Sequence, residues 1–189
     1  MKNILVLCAK SSSGKDAAYD YIKEKYDVNE TISLTTRPMR DGEEEGITYT
    51  YLNNKEFEDK IKSGLIIEHR AYNVDFEGKK DIWYYGTSSE AISKDKNNIV
   101  ILDIDGLNSL IKIFGKDNIT SILLSVDDDI REERAKARGS FDQVEWDRRI
   151  LDDNIKFSEE RIKVCDYTIN NNGSIEDFLN KVDKIITTL

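Results

Sequence analysis

The chain has 189 residues, of which 37 are Asp or Glu against 28 Lys or Arg, and a formal net charge of −9. That balance argues against a general nucleic-acid binder, which needs a cationic face. Two cysteines cannot build a disulfide framework, and no apolar run is long enough to span a bilayer, so the expectation is a cytoplasmic protein without a cleavable signal.

The first element is an apolar run, Ile4-Leu5-Val6-Leu7-Cys8, which predicts a strand. A loop of small residues follows, Ala9-Lys10-Ser11-Ser12-Ser13-Gly14-Lys15-Asp16, and then a helix predicted over about 15–26. Strand, small-residue loop with Gly-Lys, and helix is the layout of a phosphate cradle. Loop N–H groups point inward, the helix N-terminus carries partial positive charge, and the lysine adds a full one. The match to the Walker A pattern is incomplete, because Ala9 stands for the leading glycine and Asp16 for the hydroxyl residue after the lysine. Taken alone, the segment is also compatible with a plain Ser-rich turn between a strand and a helix.

A short strand is predicted at 31–35, then a polar stretch, 37–46, that holds Pro38. Residues 47–52 suit a strand, 54–63 a helix closed by Gly64, and 65–68 and 82–85 two further strands with a loop or hairpin tip at 75–81. Ile99-Val100-Ile101-Leu102 reads as a buried parallel strand with Asp103 and Asp105 at its carboxyl end. Further elements are a strand at 119–126, a helix starting at Asp127-Asp128-Asp129, a long helical region over about 143–164, a strand at 166–170, and a last helix capped by Ser174. Cys8 and Cys165 read as buried, reduced thiols, and His69 as structural or exposed.

The pattern predicts an α/β fold: a parallel sheet flanked by helices, residues 1–34 and 89–189, interrupted by a strand-rich insert at about 35–88. Ligands in such sheets sit beyond the carboxyl ends of the strands, where most of the polar clusters fall. Arg37, Arg40, Arg131, Arg134, Arg138, Arg148 and Arg149 lie in tight groups suited to phosphate.

The string Ser33-Leu34-Thr35-Thr36-Arg37-Pro38-Met39-Arg40-Asp41-Gly42-Glu43 resembles the guanylate kinase family. The likeness continues through Gly46, Tyr49, Phe57, Ile67-Glu68, Tyr85-Gly86-Thr87-Ser88 and Leu102-Asp103-Ile104-Asp105, and resumes at Arg134, Arg138-Gly139 and Arg148-Arg149. It implies a P-loop kinase core, a mobile monophosphate-binding insert and a helical lid at about 131–150, with ATP and GMP as substrates and Mg²⁺ accompanying ATP. By position, Ser11, Ser12, Ser13, Gly14, Lys15, Asp16, Ala17 and Asn170 would bind ATP, with Asn170 near the adenine edge. Ser33, Arg37, Arg40, Tyr49 and Tyr85 would hold the GMP phosphate, and Glu68, Thr87 and Asp105 would read the guanine. Lys15, Arg134, Arg138 and Arg149 would serve the transferring phosphoryl group, and Asp16 and Asp103 would lie by the metal.

The chemistry of these residue types agrees. Two arginines three apart can fork a phosphate. A carboxylate matches the N1–H and N2–H donors of guanine, and would face the N1 acceptor of AMP unpaired. Phosphoryl transfer needs positioning and charge neutralisation rather than a protein nucleophile. The bland alternatives are surface charges for Arg37 and Arg40, core aromatics for Tyr49 and Tyr85, an exposed strand residue for Glu68, a strand-end turn for Asp103 and Asp105, and a solvated salt-bridged helix for Arg131.

The sequence departs from the family pattern at Ala9 and at Asp16, whose carboxylate is a legitimate magnesium ligand. The segment 73–82 is longer than the family usually carries, and Gly106-Leu107-Asn108 replaces its Gln-Gly, which leaves the start of that helix and the placing of Asp105 open. The expectation is a guanylate kinase, monomer or homodimer, without nucleic-acid or membrane partners. The alternatives are a kinase of another (deoxy)nucleoside monophosphate and a non-catalytic module that binds phosphorylated protein segments.

Overall fold

Alternation in the first strand organises the core. Ile4, Val6 and Cys8 join Val100, Leu102, Leu107, Leu110 and Leu123 in one apolar cluster. Leu5 and Leu7 face the other way, into a cluster with Ala18, Ile22, Ile99, Ile122, Leu124, Phe178 and Val182. A strand apolar on both faces must be covered on both, which is what helices flanking a parallel sheet supply.

The computed structural model describes residues 3–76, 78–137, 139 and 141–188. The element order is β1 (Ile4–Ala9), α1 (Lys15–Lys25), β2 (Val28–Glu30), β3 (Leu34–Thr35), β4 (Thr50–Tyr51), α2 (Asn54–Lys62), β5 (Ile66–Phe76), β6 (Lys79–Ser88), β7 (Asn97–Leu102), α3 (Ile104–Phe114), β8 (Ile119–Ser125), α4 (Asp128–Ala137), α5 (Gln143–Lys156), β9 (Tyr167–Asn170) and α6 (Ile175–Ile186). One sheet runs β2-β7-β1-β8-β9, with every pairing parallel. The other runs β4-β3-β6-β5 and pairs β6 antiparallel to both β3 and β5.

The second sheet has its own small core. Phe57 of α2 is fully buried and stacks on Tyr84 with ring centroids 5.0 Å apart. Gly86 allows this packing, since a Cβ there would meet the Glu68 carbonyl at 2.7 Å and the Phe57 ring at 2.9 Å. The helix starts follow from local chemistry: Asn53 and Glu56 form a reciprocal capping box on α2, and Asp103, Asp142 and Ser174 cap α3, α5 and α6.

Several boundaries differ from expectation. The predicted strand at 47–52 shrinks to Thr50–Tyr51, and Ile47 is exposed, because Gly42 and Gly46 at positive φ turn the chain just before it. β2 is an unforeseen edge strand, and only Leu34–Thr35 of the predicted 31–35 strand forms, in the second sheet. Of the two expectations for 75–81, loop or hairpin tip, the hairpin holds, and its ladder reaches further than expected, with Val74 opposite Asp81, Asp75 opposite Lys80 and Phe76 opposite Lys79. The helix from Gln143 ends at Lys156, and Arg161–Val164 is a separate 3₁₀ turn. Cys8 is buried as expected, whereas Cys165 is only half-buried; both are free thiols.

Candidate active site

The loop after β1 owes its shape to two residues at positive φ, Ser12 (61°) and Gly14 (88°). Such a path turns successive N–H groups toward one point. Gly14 is required twice over: by its φ, and because a Cβ would meet Asn171 Nδ2 at 2.6 Å. Ala9 lies within β1, opposite Leu124, and so needs none of the freedom of a leading glycine. Lys15 and Asp16 open α1, with Lys15 Nζ 2.9 Å from Asp16 Oδ1, and Ala17 follows in the first turn.

Buried partners brace the loop. Arg131 is fully buried; its Nε donates to Ser11 O at 2.7 Å, and its Nη1 pairs with Asp128 at 2.6 Å. Its Nη2 donates to Asp153, whose Oδ2 also accepts the Ser11 N–H at 2.8 Å. Asn171 Nδ2 donates to Ser13 O at 3.0 Å, and Arg134 donates to Asn171 O at 2.8 Å. Ser12, Gly14, Arg134 and Asn171 line a cavity of about 350 Å³. Asn170 itself is exposed at the end of β9, and it is the adjacent, buried Asn171 that reaches the loop.

On the second sheet, Arg37 is buried and forks to Glu43, Nη1 to Oε2 at 2.9 Å and Nη2 to Oε1 at 2.7 Å. Arg37 holds the Glu43 carboxyl down at about 2, with the Arg40 N–H and the Tyr51 hydroxyl adding to the effect. Arg37 also lies over the Tyr49 ring, which meets Tyr85 edge-on at 6.0 Å. Ser33 is half-buried at the entry to β3, where its carbonyl accepts the Thr50 N–H. Arg40 is exposed. It lines a cleft of about 570 Å³ with Ser11, Arg70, Tyr72, Trp83, Tyr85, Arg148, Arg149 and others. Arg148 and Arg149 both pair with Glu145 at 2.7 Å, one turn earlier on α5. Arg138 lies outside the described residues.

Glu68 accepts from the Thr87 hydroxyl at 2.8 Å. Burial pushes the Glu68 carboxyl up, against the opposing pull of Thr87 and Arg70. Asp105 is about half exposed (48 %) and pairs with Arg161 and, at 3.7 Å, with Arg70. Asp103 caps α3 through the Gly106 N–H and pairs with Arg70 at 2.6 Å and Lys156 at 3.3 Å. Burial would raise its carboxyl, but these three donors hold it below the usual carboxylate range. Arg70, Lys156, Asp153 and Asn171 went unremarked in the sequence, and nothing local in their segments marks them.

The sheet order, the loop at the head of α1 and the arginine-lined cleft together suit phosphate binding. A family model described as Guanylate kinase matches residues 1–189. The chain belongs to the guanylate kinase family. It is 31% identical over 145 residues to guanylate kinase of Chlorobium luteolum, covering 74% of this chain and 70% of that one. Against guanylate kinase of Salinibacter ruber it is 27% identical over 194 residues, covering 99% and 98%. The crystal structure of guanylate kinase from Anaplasma phagocytophilum superposes with a TM-score of 0.66 at 21% identity, covering 99% of this chain and 85% of that one, a likeness of fold.

Magnesium fits one of the two guanylate kinase positions expected to hold it. Asp16 has an exposed carboxylate whose partner is the neighbouring Lys15, which leaves hard oxygen available. Asp103 does not fit, because its oxygens already serve three donors.

Proposed function

We propose that the protein is an ATP-dependent guanylate kinase, transferring the γ-phosphoryl group of ATP to GMP to give ADP and GDP. One observation carries this reading. A single cleft is lined by Ser11 of the phosphate loop, Arg40 and Tyr85 of the second sheet, and Arg148 and Arg149 of α5. One cleft lined by both the loop and the second sheet supports a reading in which two phosphate-bearing substrates meet there.

In this reading residues 1–34 and 89–189 are the ATP-binding core, with a lid at about 131–150, and residues 35–88 are the GMP-binding insert. Loop N–H groups and Lys15 bind the ATP phosphates, while Arg134 and Asn171 border the cavity on the nucleoside side. Arg37, Arg40, Tyr49, Tyr85 and Ser33 hold the GMP phosphate. Glu68 accepts from guanine N1–H and N2–H, and Thr87 orients Glu68. Arg149, with Arg134 and Arg138, neutralises charge during in-line transfer, and no protein nucleophile is needed. Mg²⁺, held at Asp16, would supply Lewis-acid neutralisation of the ATP phosphates. The same reading makes the protein a cytoplasmic monomer or homodimer. The non-catalytic alternative is disfavoured by the retained Gly14 and Lys15 at the head of α1 and by the lid arginines.

The test is ADP release from ATP with GMP, dGMP, AMP, CMP and UMP. GMP should stimulate turnover far above AMP, CMP and UMP. Equal turnover of AMP and GMP would remove the guanine assignment.

A further inference from the structure

Glu68 and Arg70 are two apart on β5 and so share a face of the strand. That face looks toward the head of α3. The Arg70 Nη1 donates to its neighbour's carbonyl, His69 O, at 2.9 Å, which aims the guanidinium. Its Nη2 then meets Asp103 Oδ1 at 2.6 Å, while Glu68 Oε2 lies 3.6 Å from Nη1 and Asp105 Oδ2 3.7 Å from Nη2. Asp103 is itself pinned by the Gly106 N–H at 2.9 Å. A continuous link thus runs from the insert's longest hairpin to the first turn of α3, in the other sheet's layer. Lys156 of α5 reaches the second Asp103 oxygen at 3.3 Å, so three elements converge on one carboxylate.

Three carboxylates, Glu68, Asp103 and Asp105, face three cations, Arg70, Lys156 and Arg161, and Lys156 also pairs with Asp152 at 2.9 Å. Arg161 pairs with Asp105, and Thr87 occupies Glu68 Oε1. Among the described residues, Glu68 Oε2 has only the longer Arg70 contact and no hydrogen bond. It is the oxygen left to accept from a base.

We infer that Arg70 is a positioning residue for the guanine: it ties Glu68 on the insert to Asp103 at the head of α3, and so fixes the base pocket before GMP arrives. The inference rests on the guanylate kinase reading. A rigid carboxylate loses less freedom when the base binds, so the latch acts on GMP affinity rather than on the chemical step.

The experiment is calorimetric titration of GMP, without ATP, into the wild type, Arg70→Ala, Arg70→Lys, Asp103→Asn and the double variant Arg70→Ala/Asp103→Asn, with steady-state kinetics beside it. Asn retains the cap on α3 and removes only the charge. Arg70→Ala should weaken GMP binding about 10- to 100-fold, the range for losing a charge-assisted contact. The KM for GMP should rise with it, while kcat at saturating GMP and the KM for ATP stay within a few-fold. Arg70→Lys should recover part of the affinity, and the two single losses should not add in the double variant. Should Arg70→Ala not fold, by its melting curve, Arg70→Lys and Asp103→Asn carry the comparison. Unchanged GMP binding, or additive losses, would overturn the latch. Tighter binding would also overturn it, showing that Arg70 obstructs the pocket. A wild type that binds no GMP would remove the kinase reading and the latch together, which separates that failure from the others.

Discussion

Arg40 is the cleaner probe of the monophosphate side, because it is exposed and its guanidinium makes no ion pair among the described residues, whereas Arg37 is buried in a fork with Glu43. Arg40→Ala should raise the KM for GMP by roughly 30- to 150-fold, about 2–3 kcal/mol, with little change for ATP. Unchanged GMP kinetics would make Arg40 a surface charge. Arg37→Ala should raise the same KM and also lower the melting temperature, since it strands Glu43. Glu68 gives a pH signature. Its carboxyl is raised by burial, so it takes up a proton at higher pH than an exposed glutamate would. The folded state then binds more protons than the unfolded chain within that window, so ionised Glu68 costs stability at neutral pH and the cost lifts as pH falls. GMP binding runs the other way, since a protonated Glu68 loses an acceptor. As pH falls, the KM for GMP, corrected for the nucleotide's own ionisation, should climb before ordinary carboxylates titrate. A flat profile there would mean that Glu68 does not read the base. At Asp16, replacement by Ala should flatten the dependence of initial rate on free Mg²⁺, and Ser should keep it; superimposable wild-type and Asp16→Ala curves would place Asp16 away from the metal.

The helices α4 and α5 are joined to the phosphate loop by one buried ion pair, Arg131 with Asp153. Replacing Arg131 with Met strands a carboxylate that is 8% exposed, and should cost about 3–5 kcal/mol in urea unfolding. The double variant Arg131→Met/Asp153→Leu should regain much of that loss, and a single variant as stable as wild type would remove the strut. These residues also show where the sequence was legible and where it was not. The loop, the arginine string and Ser174 as a cap are local patterns, readable within a few residues. Ser11 and Asp153 are 142 residues apart, and Arg70 and Asp103 are 33 apart; only folding brings them together. The full length of the β5–β6 ladder was not legible for a related reason. Two paired strands satisfy each other's backbone, so polar residues such as Asp75, Lys80 and Asp81 can extend it without an apolar pattern. Arg131 carried a surface reading because its helical neighbours are acidic; one of them, Asp128, is indeed a partner, but the others come from another helix and from the loop.

Across the whole molecule, two sheets meet with carboxylates and arginines between them; the parallel sheet flanked by helices was anticipated from the α/β alternation, whereas the ion pairs between the sheets were not. No helix among the described residues is long and apolar enough to cross a membrane. Asp153 stands on α5, near the arginines that border the cleft, and holds both the Ser11 amide and Arg131. On the proposed kinase reading, ATP in the loop and GMP beside α5 would both bear on this carboxylate, so their binding should be coupled. If a non-hydrolysable ATP analogue tightens GMP binding by some factor, GMP must tighten the analogue by that same factor. Both titrations should return one number above unity, and Asp153→Asn should bring it toward one. A factor of one in the wild type would mean that the halves of the cleft fill independently.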